Sequence, residues 1–443
     1  MHFLRVFFVL IIFCGSLTAQ QDLSLEEAIR TGLENSYTIK IEENDLAVAQ
    51  NRNNWAIAGK YPAINVNLGS DNGYRYQNNP ISFFTEISSY NTGLTPSVST
   101  NLVLFDGYRV RLTKNQLETN ERLESGNVAI AVENTIQEII VAYYQALLQQ
   151  EQLSVLQEVL ELSRDRIRYQ EVRQEFGQGG SFDLLQSKDA YLSDSTNYLV
   201  QKTNLDNALR NLNLAMGLDE LSRRYRLSDE LQVPAEDYDV NAIRERVFAN
   251  NRNLQNAFVN RELAGINTKL QEVSNYPRVT VGGNGSYNWG LSSGEGTAAS
   301  GESRSINAVV ARTLNLGVNI TATYTLADWG VRKTNIQNAQ LQEVSSQYNI
   351  DNLKRNLNLQ ATNLFATYQN QRDLVALTEE LVQNARQNLT IAEERFKGGL
   401  INSFDYRAVQ LAFINAEQSR LNAVFNLKTT ETDLIRLMGG LVR

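Results

Sequence analysis

The chain of 443 residues repeats itself at long range, and this duplication restricts its fold more than any other feature. Two motifs recur 222 positions further along: Ser-Phe-Asp at 181–183 returns at 403–405, and Met-Gly at 216–217 returns at 438–439. Tyr-Pro at 61–62 also recurs, at 276–277. Such self-similarity indicates two copies of one structural unit. We therefore predict a first repeat at 20–217 and a second at 218–443, after an N-terminal signal peptide at 1–19.

Each half contains the same elements in the same order. A helix, at roughly 24–58 and 240–274, ends at Tyr-Pro because the residue before a proline avoids the helical conformation. Two strands are predicted next, at 61–108 and at 276–328. A long helix hairpin that turns at glycines follows, at 109–217 and at 329–439. Apolar residues three or four positions apart along these helices are typical of coiled coils, and each long run would span about 100 Å.

The strands alternate strictly between apolar and polar residues. The segment LGVNITATYTL at 316–326 shows this best, and a period of two indicates a strand with one apolar and one polar face. Spans of about 9–11 such residues with aromatic rims are typical of transmembrane β-barrels. An antiparallel sheet packed on a soluble core would alternate in the same way. Four strands cannot close a barrel, so membrane strands would have to be pooled among several copies.

The first residues are typical of a secretory signal. Arg5 precedes an apolar run at 6–13, and small residues lead up to Ala19; lipid anchoring at Cys14 stays open as an alternative. Cleavage after Ala19 would remove His2 and Cys14, which are the only histidine and cysteine of the chain. The remaining residues would then offer no histidine or cysteine for a metal site or for acid–base catalysis. We predict no catalytic residue, metal site or cofactor.

The duplicated order of helix, Tyr-Pro, strand pair, Leu-Phe-Asp-Gly at 104–107, long helix, glycine turn and Ser-Phe-Asp-Leu-Leu at 181–185 resembles the TolC-type outer-membrane efflux proteins. The resemblance covers both halves. It implies an α-helical barrel of long antiparallel coiled coils joined to a transmembrane β-barrel shared by three copies. It further implies a homotrimeric, passive exit duct of a tripartite efflux or type I secretion system. Such a duct lies in the outer membrane, extends into the periplasm, and docks on a periplasmic adaptor protein of an inner-membrane pump.

The resemblance also assigns roles to the two glycine turns, which in that family form the periplasmic tips that contact the adaptor. By position, the contact residues are Phe176, Gly179, Gly180, Ser181, Phe182 and Asp183, together with Phe396, Gly398, Gly399, Ser403, Phe404 and Asp405. Asp183 and Asp405 are the candidates for a constriction of the tunnel, where a carboxylate ring would disfavour anions. A favourable charge at a helix N-terminus is the simpler interpretation of both. Aligning Phe176 with Phe396 predicts a first turn two residues shorter than the second.

Two other classes of function compete with the duct. A non-conducting, periplasm-spanning trimeric coiled coil or adhesin stalk would share the long helices, but strands in the middle of the chain argue against it. A carboxylate-dependent hydrolase would need a cluster of acidic residues that the sequence does not display. The net charge of −8 argues against nucleic acid as a partner.

Overall fold

The computed structural model describes residues 21–231 and 237–441, so the predicted signal peptide lies outside the described residues. The chain divides into two compact units. The first contains the described residues up to Glu43, Asn127–Gln255 and the described residues from Asn352 onward. The second contains Asn44–Gly126 and Asn256–Asp351. No helix in the described part of the chain has the length and apolar composition needed to cross a membrane.

The first helix of each half is interrupted, so the single helices predicted for 24–58 and 240–274 were wrong. The first half has α1 (Leu25–Asn35) and α2 (Tyr37–Arg52), and the second has α5 (Val240–Asn250) and α6 (Arg252–Glu272). The breaks fall at Ser36 and Asn251, which both have a ψ angle of 119°. Each side chain accepts a hydrogen bond from the N–H three residues on and so caps the next helix.

The long hairpins of the two halves have equal dimensions. Helices α3 (Arg109–Glu175) and α7 (Val331–Lys397) contain 67 residues each, and α4 (Ser181–Ala215) and α8 (Ser403–Leu437) contain 35 each. All four boundaries repeat at the 222-residue offset. The two turns therefore have the same length, and the prediction of a shorter first turn was wrong. Phe176 corresponds to Gly398, and not to Phe396.

Each long helix ends in a Schellman motif. Gly177 and Gly399 adopt φ angles of 72° and 70°, which a glycine reaches without steric cost. The next residue, Gln178 or Leu400, donates a 2.8 Å hydrogen bond back to the carbonyl five positions earlier. This bond satisfies a carbonyl that the helix end would leave unpaired. The same local chemistry thus sets both turns.

A four-stranded antiparallel sheet lies in the second unit. It consists of β2 (Ala63–Asn78), β3 (Phe84–Phe105), β5 (Arg278–Ala298) and β6 (Ser303–Thr323), in the order β2-β3-β5-β6. These are the strands predicted from the sequence, although each is longer than the predicted span of 9–11 residues. A separate parallel pair in the first unit joins β1 (Gln21–Leu23) to β4 (Tyr225–Leu227), which the sequence did not predict.

The helices of the second unit follow the order of the strands. Asn53, just beyond α2, donates to Glu121 on α3 at 2.5 Å. Between α3 and α6, Arg122 pairs with Glu262 at 2.6 Å. Between α6 and α7, the Thr268 hydroxyl donates to the Glu343 carboxylate at 3.1 Å. The helix order α2-α3-α6-α7 therefore matches the strand order β2-β3-β5-β6. Helices α2 and α7 are the outermost helices of this row.

The first unit has a core in which α1, α3 and α4 meet the small parallel sheet. Its largest fully buried side chains include Tyr143, Leu147, Leu212 and Met216. The Tyr143 hydroxyl donates within 2.9 Å of the Leu23 carbonyl and within 2.5 Å of the Asp229 carboxylate. Burial and the contact with Asp229 raise the pKa of Tyr143, so this hydroxyl remains a donor at neutral pH.

Candidate functional site

One face of the four-stranded sheet is apolar and open. In the cross-strand register, Val66 lies opposite Val98, which lies opposite Gly285, which lies opposite Leu316. Six apolar residues of this face on the two edge strands are between 71% and 82% exposed: Ile64, Val66, Leu68, Leu316, Val318 and Ile320. Side chains this exposed do not pack on a helix, so the alternative of a sheet that covers a soluble core is wrong. An apolar surface of this extent indicates contact with lipid or with another protein.

The opposite face is lined with amides and hydroxyls. One cross-strand row runs through all four strands: Asn67, Ser97, Ser286 and Asn315. Further along, Asn288 donates to the Thr95 hydroxyl at 3.2 Å, and the Ser292 hydroxyl donates to Asn91 at 2.6 Å. These groups can also exchange hydrogen bonds with water. The sheet therefore separates an apolar surface from a wettable one.

The strand order leaves the sheet with two open edges. Within the described ranges, the outer edges of β2 and β6 pair with no other strand. Unpaired backbone N–H and C=O groups are costly in hydrocarbon, where water cannot satisfy them. If the apolar face contacts lipid, the sheet is complete only when further strands pair with both edges.

The helix turns expose large apolar side chains. Four residues at the turns are at least 70% exposed: Phe176, Phe182, Leu400 and Phe404. Leu400 was missed by the sequence analysis because its glycine neighbours had been read only as a turn. Asp405 is exposed, and Asp183 is half-buried. The Asp405 N–H donates to the Asn402 side chain at 2.8 Å, which caps α8, whereas Gly180 at the start of α4 supplies no side-chain cap.

Two of the predicted contact residues lie in the interior. Phe396 is 5% exposed, and its ring stacks on Tyr406 with centroids 5.1 Å apart and 15° between the planes. It also contacts Tyr169 of α3, with the centroids 5.6 Å apart. Ser403 is 2% exposed. Phe396 and Ser403 therefore pack the helices behind the second turn.

A match to a known protein family identifies the family of this chain. The sequence profile of the family described as outer membrane efflux protein matches residues 28–218 and 243–440, once in each half. This chain belongs to the outer membrane efflux protein family. Members of the family are channels rather than enzymes, which confirms the prediction of no catalytic activity. Among curated protein sequences, none matches this chain.

Solved structures of outer-membrane channels share the fold of this efflux protein. The Campylobacter jejuni CmeC channel has 16% sequence identity and a TM-score of 0.73, over 94% of this chain and 85% of that one. VceC from Vibrio cholerae has 16% identity and a TM-score of 0.71, over 94% and 96%. MtrE from Neisseria gonorrhoeae, in its open state, has 18% identity and a TM-score of 0.67, over 94% and 89%. These likenesses confirm the predicted fold of long helices, sheet strands and two internal repeats.

A buried polar cluster lies between α3, α4 and α8 of this efflux protein. Asp194 is 2% exposed and binds the Arg407 guanidinium through both oxygens, at 2.6 and 2.8 Å. The Ser163 hydroxyl donates to the same carboxylate at 2.5 Å. Sequence reasoning missed this pair because 213 positions separate its partners, and no local spacing marks such a contact.

Arg166 is the unbalanced member of this cluster. It is 4% exposed, and its three side-chain nitrogens have no hydrogen-bond acceptor among the described residues. Its guanidinium lies 6.0 Å from the centre of the Tyr406 ring. Burial, together with the positive charge of Arg407, lowers the pKa of Arg166. Burial also raises the pKa of Tyr406 to about 12. The cluster thus holds two arginines for one aspartate.

The described residues form no cluster suited to a metal ion. In residues 21–231 and 237–441, no group of three or more His, Cys, Asp or Glu side chains is arranged to hold a metal ion. Asp183 and Asp405 are each alone at the start of their helices. Any carboxylate ring would therefore have to combine aspartates from several copies.

Proposed function

We propose that this efflux protein is the outer-membrane exit duct of a tripartite efflux or type I secretion system. It acts as a passive homotrimeric channel that docks on a periplasmic adaptor protein of an inner-membrane pump. The observation that carries the proposal is the sheet: one open apolar face, one amide-lined face and two unpaired edges. A membrane channel wall needs all three properties, because it has lipid on one side, water on the other and neighbours at both edges.

The edges support a ring of several copies. When β6 of one copy pairs with β2 of the next, three copies supply twelve strands, enough to surround an aqueous pore. The edge helices of the same unit agree, because Leu341, Val344 and Tyr348 on α7 and Val48 on α2 are exposed apolar residues. Helix edges of this kind suit the same head-to-tail association around a three-fold axis.

The helix turns support docking. Phe182 and Phe404 are exposed just past equivalent turns, and Leu400 is exposed within the second turn. Exposed aromatic residues in a soluble compartment commonly mark interaction sites. We assign the adaptor contact to these side chains and to the glycines beside them. Asp183 and Asp405 remain the proposed constriction residues, with the carboxylates of three copies forming the ring.

The location follows from the same proposal. Secretion through the N-terminal signal at 1–19 would deliver the chain to the periplasm, and the apolar sheet face would insert in the outer membrane. The alternative function, a non-conducting coiled-coil stalk, would share the long helices. It would not require a sheet face that is lined with amides and shielded from lipid. Energy for transport comes from the partner pump, since the family consists of channels rather than enzymes.

Thiol labelling in planar bilayers tests the duct. Asn67→Cys places a thiol on the amide face, and Val66→Cys, its neighbour along β2, places one on the apolar face. Purified protein reconstituted in bilayers should show discrete conductance steps. A charged, membrane-impermeant thiol reagent should lower the conductance of Asn67→Cys and leave that of Val66→Cys unchanged. Folded protein that inserts without conducting would favour the stalk and end the proposal.

A further inference from the structure

Arg312 interrupts the apolar face of the sheet. Alternation along β6 puts it on the face that carries Leu314, Leu316 and Val318. In the register, Arg312 lies directly opposite Trp289 of β5, which in turn lies opposite Leu94 of β3. A permanently charged side chain therefore stands within an apolar face, opposite a tryptophan in the strand register.

No carboxylate in residues 21–231 and 237–441 neutralises Arg312. Among the described residues, no acidic side chain forms a salt bridge with it. On β5 the first carboxylate of the same face is Glu295, six positions beyond Trp289 and about 20 Å away along the strand. A second copy that paired its β2 with β6 would add none, because Asp71, the acidic residue of β2, belongs to the amide face. The described residues therefore supply no counterion for Arg312.

The spacing along β6 sets the depth of Arg312. Twelve positions separate it from Tyr324, an exposed aromatic residue just beyond the other end of the strand. This is about 40 Å along an extended chain, or about 28 Å along the axis of a barrel whose strands tilt by 45°. The hydrocarbon core of a bilayer is about 30 Å thick. Arg312 and Tyr324 therefore lie at opposite boundaries of the apolar layer.

Arg312 lies near the middle of β6, and the strand continues beyond it to the hairpin turn that precedes Ser303. The chain enters the sheet at Ala63 and leaves it at Phe105, at the end that continues into the helices, whereas the β2–β3 and β5–β6 turns lie at the other end. Tyr74 and Tyr90, with ring centroids 4.8 Å apart, lie on the same face beyond Trp289. An aromatic rim of this kind marks the level of the lipid headgroups.

We propose that Arg312 and Trp289 form a binding site for the phosphate of a phosphorylated lipid in the outer leaflet. The guanidinium fork matches two phosphate oxygens, and the indole packs at the headgroup level beside it. The proposal rests on the proposed function, because only a duct whose helices extend into the periplasm turns its hairpin end outward. A trimer would carry three such sites, which fix its depth in the membrane.

Native mass spectrometry of the purified full-length protein tests the site, with diphosphorylated lipid A and its dephosphorylated form as probes. The wild type should retain the phosphorylated lipid about tenfold better, as expected for one charge-assisted contact. Arg312→Gln should lose this preference. Arg75→Gln is the matched control: it removes an arginine that lies nearer the hairpin turns, on the amide face opposite Ser89. It should keep the preference.

The outcomes separate this inference from the proposed function. Equal retention of both lipids by the wild type, or an unchanged preference in Arg312→Gln, overturns the lipid site and leaves the duct intact. Recovery of the folded wild type as a water-soluble protein that binds neither lipid would defeat the duct itself. Circular dichroism of both variants checks that the sheet is retained, and Arg312→Lys should restore part of the preference.

Discussion

Gly126 of α3 and Asn256 of α6 approach so closely that a Cβ on the glycine would lie 1.8 Å from the asparagine Oδ1. Asn256 is 8% exposed, and its amide donates to the Leu123 carbonyl at 3.4 Å. The side chain therefore has little freedom to move aside. The close packing of α3 against α6 therefore requires a residue without a side chain at position 126.

We expect Gly126→Ala to lower the thermal unfolding midpoint of the detergent-solubilised protein, because the methyl group overlaps Asn256 and costs about 1–3 kcal/mol. Gly265→Ala is the control. Its Cβ would meet Glu343 at 3.4 Å, an ordinary contact, so the better helix propensity of alanine should leave stability unchanged or raise it. Adding Asn256→Ala to Gly126→Ala should remove the overlap. Equal effects of the two single alanine variants would contradict the packing argument.

The Arg407–Asp194 pair gives a second prediction. Arg407→Met leaves a buried carboxylate with Ser163 as its remaining hydrogen-bond donor, and loss of one partner of a buried pair costs about 3–5 kcal/mol. Differential scanning calorimetry should show a large drop in the unfolding temperature. Adding Asp194→Asn should recover part of it. Arg168→Met breaks an exposed pair with Asp165 and should change stability by less than about 1 kcal/mol.

Replacing Arg166 should have the opposite effect on stability from replacing Arg407. Its charge is buried and the described part of the chain offers its nitrogens no acceptor, so replacing it with an apolar residue of similar length removes a desolvation cost. Apolar replacement of buried charged groups is often stabilising by about 1–4 kcal/mol. We expect Arg166→Met to raise the unfolding temperature in the calorimetric scan that tests Arg407→Met. A lower temperature would mean that Arg166 is needed to balance Asp194.

Local sequence signals predicted much of this fold. Glycines, Tyr-Pro pairs and strict alternation located the strands, the long helices and their turns, because each reflects chemistry within a few residues. The 222-residue repeat then located the second copy of each element. The breaks at Ser36 and Asn251 were missed because serine and asparagine are also common on helix surfaces. Nothing local distinguishes a cap within a helical stretch from a solvent-exposed polar residue.

The candidate site was less predictable, because exposure depends on distant contacts. Phe396 and Phe404 flank the same glycine turn, yet one is buried against Tyr169 and Tyr406 and the other is open to solvent. The register that places Arg312 beside Trp289 likewise depends on strand pairing. Alternation alone predicts the face of the sheet on which a residue lies, but it does not predict which residue of the next strand lies opposite.

A pH prediction follows from Glu133. This side chain is 5% exposed, and burial raises its pKa above the usual 4.5, against the opposing effects of Arg252 and Arg436. An acid whose pKa is raised in the folded state destabilises that state as pH rises through the folded pKa. We expect Glu133→Gln to raise the unfolding temperature at pH 7, with a smaller gain at pH 4, where the carboxyl is protonated in both states. A gain independent of pH would rule out ionisation as its cause.

The phenylalanines near the second turn separate packing from docking. Phe396→Ala empties a buried site between Tyr169 and Tyr406 and should cost about 3–5 kcal/mol of stability. Phe404→Ala removes an exposed ring and should change stability by no more than about 0.5 kcal/mol. If the exposed rings contact the adaptor, Phe404→Ala and Phe182→Ala should each weaken co-purification with a periplasmic adaptor protein that the wild type captures, while conductance in planar bilayers is retained. Thermal unfolding and affinity capture of the same preparations check both parts. Stable Phe404→Ala protein that captures the adaptor as well as the wild type would place the docking surface elsewhere.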